Sequence, residues 1–316
     1  MIEKQFKSLK EQIEILKYKG LVIEDPLYAK EVLLRENYFF INGYRHLFFK
    51  SDIDKTFIKG TTFEEVYSLF LFDRSFRNIL FKNLLIIENN LKSIISYQLS
   101  RKYGYKEKDY LNIKNFTTNP EKQRRVKDLI QKMKRQIRIN GSQHTATQHY
   151  VSHYGYIPLW ILVKVLSFGI VSEVFAVLKK EDQEDIADGY HVKKEDLILY
   201  LPILANYRNL CAHEDIVYEN RTQKEINDTV YHAMLNISKE NGQYTKGKND
   251  LFALIIMMKH LLTNDEFNKM ISEIERSVDT LYYNLKAINI EQVLNRMGFP
   301  MNWKDIAKVK RSVDNE

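Results

Sequence analysis

The chain has 316 residues, of which 44% are hydrophobic; that is enough for a sizeable core in one or two domains and too much for a disordered chain. Eleven Gly and five Pro leave few places for tight turns, and Leu, Ile, Lys, Glu and Asn recur at helical spacing, so the expected fold class is all-α. A net charge of +7 means little unless it is concentrated, and a single cysteine, Cys211, excludes an internal disulfide and fits a reducing compartment, with the cytoplasm as the expected location.

In chain order, "FKSLKEQIEILKYKG" steps Phe6, Leu9, Ile13 and Leu16 by threes and fours to a glycine stop at Gly20. Asp25 as N-cap and Pro26 at the first helical position start a second helix that runs to about Asn37. The aromatic segment "YFFINGYRHLFF" reads as core packing in preference to a base-stacking platform. Thr61 and Thr62, with Glu64 and Glu65 three residues later, predict a capping box that opens a long helix to Gly104, with a kink near Asp73. Residues 105–120 read as a loop closing at Pro120, and a helix over 121–138 follows. Further helices are expected near 158–179, 193–212, 222–239, 250–263 and 265–285, with a short one after Ile290, and "NGQYTKGKND" (241–250) reads as a mobile loop. Residues 1–104 would form an N-terminal helical part and 105–316 a part carrying the basic helix and the motif below, or the two would form one integrated domain.

No membrane span is expected. "MIEKQFKSLKEQ" has no apolar leader core, and "IPLWILVKVLSFGIVSEVFAVL" is interrupted by Lys164 and Glu173, so it reads as a buried helix pair. The charge is concentrated in "EKQRRVKDLIQKMKRQIR", where eight basic residues (Lys122, Arg124, Arg125, Lys127, Lys132, Lys134, Arg135 and Arg138) stand against two acidic ones. Such a helix can neutralise phosphates without reading bases, which makes it the candidate RNA-binding element, although charge runs are often only solvated faces.

Metal chemistry finds little support. His149 and His153 have the spacing of two ligands on one helix face, but neither a following glutamate nor a nearby cysteine completes a site. "EDQED" (181–185) lacks the glycine and closing glutamate of a calcium loop and reads as a solvated helix start. No metal and no cofactor is therefore expected.

"LPILANYRNLCAHEDIVYENR" differs from these. Leu204, Tyr207 and Leu210 or Cys211 make an apolar stripe, and Asn206, Asn209 and His213 a polar seam. Arg208 stands about 140° around an ideal helix from His213, so both reach one phosphate only through bent local geometry or across a symmetric partner. A Cys211–His213 nucleophile is disfavoured, because residues two apart point in nearly opposite directions. On spacing alone, Arg208 and His213 could equally be core-edge residues bonded to helix ends.

"RNLCAH" resembles the RxxxxH motif of HEPN ribonucleases in the form found in bacterial abortive-infection (Abi) proteins. Blocks from "EQIEILKYKGLVIEDPLYAKEVLLRENYFFINGY" through "LFDRSFRNILFKNLLIIENNLKSIISYQLSRKYG" and "PLWILVKVLSFGIVSEVF" to "LNRMGFPMNW" are similar to that family in the same order. The resemblance implies a helical bundle of HEPN type with an additional helical lobe, acting as a homodimer in which two motifs meet. It implies a toxin-like, metal-independent endoribonuclease in phage defence, leaving 2′,3′-cyclic phosphate ends. Arg208 would hold the scissile phosphate, His213 transfer protons and Asn209 orient His213. A partner such as a noncoding RNA would restrain it. The alternative is a non-catalytic HEPN-type RNA-binding module in which Arg208 and His213 only grip phosphate.

Overall fold

The computed structural model describes residues 5–309; residues 1–4, where the stretch read for a leader begins, and 310–316, the end of the second expected part, lie outside the described residues. Helices dominate, and the only sheet among the described residues has two strands of two residues each. The fold is all-α.

The N-terminal helices begin where their caps dictate. Ser8 and Glu11 form a reciprocal capping box at α1 (Leu9–Tyr18), and Gly20, at φ +90°, reverses the chain after it. The Asp25 carboxylate accepts the Leu27 and Tyr28 amides, and Pro26 opens α2 (Pro26–Glu36). The aromatic segment that follows holds α3 (Phe39–Tyr44), and its Phe40, Tyr44, Phe48 and Phe49 are buried, although Phe39 is exposed.

The organising element is α4 (Phe63–Tyr103), 41 residues and roughly 60 Å long at the usual helical rise. Phe72, Phe76, Leu80, Leu84, Ile87, Leu91, Ile95 and Leu99 are all buried, a stripe in steps of three and four. The Thr62 hydroxyl caps the Glu65 amide, but the expected box does not close. Glu65 is buried and instead accepts the backbone amides of Lys286, Ala287 and Ile288, tying the start of α4 to the far end of the chain. The helix is continuous through Asp73, whose carboxylate is engaged by side chains and amides packed against α4.

The segment read as a loop after Gly104 contains a short α-helix, α5 (Glu107–Tyr110), and a 3-10 turn at Ile113–Asn115; a second such turn at Pro120–Lys122 leads into the basic helix α6 (Gln123–Asn140), and α7 (Thr145–Tyr154) follows. The apolar stretch folds as the expected pair, α8 (Leu159–Val165) and α9 (Phe168–Val177). In α10 (Lys180–Asp188) the acidic start is only partly solvated, since Asp182 is buried against Lys102 (2.6 Å) and the Tyr103 hydroxyl (2.7 Å). Next comes α11 (Lys194–Ala212), which packs on α4, α9 and α10.

The region after α11 departs most from expectation. Residues 222–229 are not helical: the Thr222 and Ile226 amides donate to the carbonyls of Asn249 and Lys248, and only α12 (Val230–Met234) is a helix there. Within the stretch read as a mobile loop, 241–244 complete a hairpin of β1 (Lys239–Glu240) and β2 (Gln243–Tyr244), and 245–250 are neither helix nor strand. Asn241 (φ +51°) and Gly242 (φ +81°) supply the two left-handed residues that a tight two-residue turn demands. Asp250 then closes it by accepting the amides of Gly247 and Ala253. The rest is α13 (Leu251–Leu261), buried on nearly every side, α14 (Asn264–Asn284), laid along α4, and α15 (Ile290–Arg296). No helix among the described residues is long and apolar enough to cross a membrane.

Candidate functional site

The last turn of α11 presents the motif. Leu204 and Tyr207 are fully buried and Cys211 nearly so, whereas Asn206, Asn209 and His213 face solvent, as the apolar stripe and polar seam require. Burial pushes the Cys211 thiol up to about 12, so it packs and does not act as a nucleophile. His213 is the C-cap: its amide donates to the Asn209 carbonyl (3.0 Å), and its exposed ring has no hydrogen bond or ion pair among the described residues. Asn209 therefore meets His213 through the main chain.

Arg208 points elsewhere, toward α4. Its Nε donates to the Glu88 carboxylate at 3.3 Å, and its guanidinium lies 5.6 Å from the Phe81 ring centre. Glu88 is itself buried and also accepts Lys92 Nζ at 2.7 Å. Only Nε is occupied, so both Nη groups of this half-exposed arginine have no protein partner among the described residues. Lys92, Lys164, Glu88 and Asn89 line a shallow recess of about 350 Å³ beside this pair.

The chain beyond His213 is fixed by a buried polar cluster. Asp73, fully buried, accepts the amides of Val217 (3.2 Å) and Tyr218 (2.8 Å), the Tyr44 hydroxyl (2.6 Å) and Arg77 Nη1 (2.6 Å). Arg77, also buried, reaches the Asp215 carbonyl at 3.3 Å, and Tyr44 stacks on Tyr218. Burial drives the Asp73 carboxyl above its usual range against the pull of Arg77 and the amides, and it raises the Tyr44 hydroxyl as well. Glu214 turns the chain at φ +57°, a conformation costly for a residue with a side chain, and it is held by Arg74 (3.6 Å), which is itself paired with Glu36 (2.7 Å).

The expected RNA-binding cations fall into two groups. Lys122 donates to the Ala176 carbonyl and Lys132 pairs with Glu173 at 2.8 Å, so both help to seat α6 on α9. Arg124, Arg125, Lys127, Lys134, Arg135 and Arg138 are exposed opposite the buried Val126, Leu129, Ile130 and Met133. No hydrogen bond or ion pair among the described residues joins α6 to α11. The rings of His149 and His153 lie 4.3 Å apart and are tilted by 31°, but no group of three His, Cys, Asp or Glu residues placed to hold a metal ion occurs among the described residues.

Sequence reasoning missed Asp73, Arg77, Glu88 and Lys92. The signal was present, because Asp73, Arg77 and Glu88 interrupt the apolar stripe of α4 in register with Leu80, Leu84 and Leu91.

What fold and site define together is a helical protein that presents an arginine, held by a buried carboxylate, and an unbonded histidine at the end of one helix. The chain belongs to the Abi-like protein family, whose model matches residues 31–219. That membership supports an abortive-infection, phage-defence role. The match takes in most of α2 through the turn that Asp73 holds, while the first helix and the closing "LNRMGFPMNW" fall outside it. Comparison with curated proteins and with solved structures gave no match.

Proposed function

We propose that this protein is a metal-independent endoribonuclease of HEPN type, in which Arg208 and His213 are the catalytic pair. The observation that carries the reading is their availability: Arg208 is oriented by Glu88 through Nε alone and keeps both Nη groups for a phosphate, and the His213 ring is free at the helix end. Arg208 would offset the charge that develops on the phosphate oxygens. His213 would take the proton of the RNA 2′-hydroxyl or return one to the leaving 5′-oxygen. The 2′-oxygen bonds to phosphorus as the P–O5′ bond breaks, which gives a 2′,3′-cyclic phosphate and a 5′-hydroxyl.

Residues five apart stand about 140° apart around an ideal helix, and Arg208 is turned toward Glu88 on α4, so one copy would supply Arg208 and a second copy His213 to the same phosphate. Such a nuclease is a hazard to its own host, and the six open cations of α6 offer a phosphate-binding face for a restraining partner such as a noncoding RNA. The test is cleavage of an RNA oligomer in excess EDTA. Cleavage should proceed, leave 2′,3′-cyclic phosphate ends and stop when the scissile nucleotide carries 2′-deoxyribose. Binding with no cleavage of any RNA would leave the non-catalytic RNA-binding module instead.

A further inference from the structure

A line of aromatic rings outside the motif leads toward Arg208. Tyr154, at the end of α7, lies 6.3 Å from Tyr156; Tyr156 lies 5.8 Å from Tyr105, and Tyr105 lies 5.4 Å from Trp160 on α8. Neighbouring rings are tilted by 55°, 53° and 35°, so they do not cover one another's faces. Tyr154 is 58% exposed, Trp160 41% and Tyr105 39%. Rings of this size normally favour burial, yet three of these four are exposed and the fourth, Tyr156, is only partly buried.

Charge accompanies the rings. Lys106 places its ammonium 4.7 Å from the centre of the Tyr156 ring. The adjacent carboxylates accept backbone amides, Glu107 that of Ile157 and Asp109 that of Lys106. The line also continues into the candidate site. Trp160 and Lys164 stand one turn apart on the exposed side of α8, and Lys164 lines the same recess as Lys92 and Glu88, the partner of Arg208.

We propose that Tyr154, Tyr156, Tyr105 and Trp160 form a stacking track for the bases of single-stranded RNA, whose backbone passes Lys164 and Lys92 to reach Arg208. This rests on the reading of Arg208 and His213 as an RNA-cleaving site, and it narrows the substrate to unpaired RNA. Exposed rings interleaved with lysines, one of which already lies over the Tyr156 ring, suit unstacked bases and their phosphates, whereas a duplex keeps its base faces covered.

The chain has two tryptophans, and Trp303 is buried, so Trp160 reports on its own surface. The probe is a single-stranded 2′-O-methyl RNA dodecamer, which binds but offers no 2′-hydroxyl for cleavage. It should quench the tryptophan fluorescence, and the quench should vanish in Trp160→Phe while affinity stays near that of the original protein. Trp160→Ala with Tyr105→Ala should weaken binding on the order of ten- to a hundred-fold, the range for lost base stacking. Unchanged affinity in that double variant overturns the track, as does equal affinity for a blunt duplex of the same length; the rings would then serve a protein partner. Cleavage is scored separately on unmodified RNA. A protein that cleaves but ignores these changes loses the track alone, and one that binds through Trp160 without cleaving loses the nuclease reading alone.

Discussion

Arg208 and His213 are made available in opposite ways, the arginine by a partner that holds one edge of it and the histidine by having none. The carboxylate that orients Arg208 is buried, so the arginine's side chain is held in place, which would lower the ordering cost of the proposed phosphate contact. His232 shows the contrasting case of a histidine consumed by the fold. The Thr229 amide donates to its Nδ1 (3.0 Å), which places the ring hydrogen on Nε2, and Nε2 donates to the Gly247 carbonyl (2.9 Å). Burial lowers the affinity of this ring for a second proton below the ordinary histidine value of 6.5, because the charged form loses its hydration there. The unfolded chain then takes up a proton that the native state refuses, so His232 leaves stability intact above the ordinary value and removes it as pH falls below. Urea unfolding midpoints should fall from about pH 7.5 to about pH 5, and by less in His232→Gln. Equal pH slopes in the two proteins would show that His232 does not carry this effect.

Among the elements, those ruled by one signal were legible in the sequence. The caps at Ser8 and Asp25, the stripe of α4 and the apolar pair α8 and α9 each state their structure in residue spacing. Elements decided by distant partners were not. Glu65 reads as half of a capping box, yet it is drawn to three amides more than 200 residues away. Residues 222–229 carry no mark of the carbonyls of Lys248 and Asn249 that draw them out of a helix. The Asn241–Gly242 turn was readable, and its polar surroundings hid it. For α6, charge alone could not show that Lys122 and Lys132 are committed to α9. The remaining cations should bind RNA through phosphates. Replacing Arg124, Arg125, Lys134 and Arg135 with Ala should weaken binding to RNAs of unrelated sequence alike and flatten the slope of log K against log salt by up to about 0.7 to 0.9 per lost contact. An unchanged slope would mean that this face is merely solvated.

At the scale of the whole molecule, the candidate site was half legible. The motif itself could be read, but the α4 groups that orient it, Glu88 and the Asp73–Arg77 pair, join it from more than 100 residues away. In the proposed reaction, the divergence of Arg208 and His213 makes a symmetric pair of chains part of the chemistry. Mixing Arg208→Ala subunits with His213→Ala subunits should recover part of the activity that each lacks alone, since a mixed pair contains one intact Arg208 and one intact His213 facing the same phosphate. A mixture as inactive as its components would place both groups of each site in one chain. The central claim is catalysis by His213, and the direct measurement is the rate of RNA cleavage by the His213→Ala protein, with its fold checked by circular dichroism. The rate should drop on the order of 10²- to 10⁴-fold, the usual contribution of a positioned general acid–base. Cleavage at the original rate by a folded His213→Ala protein would contradict the account.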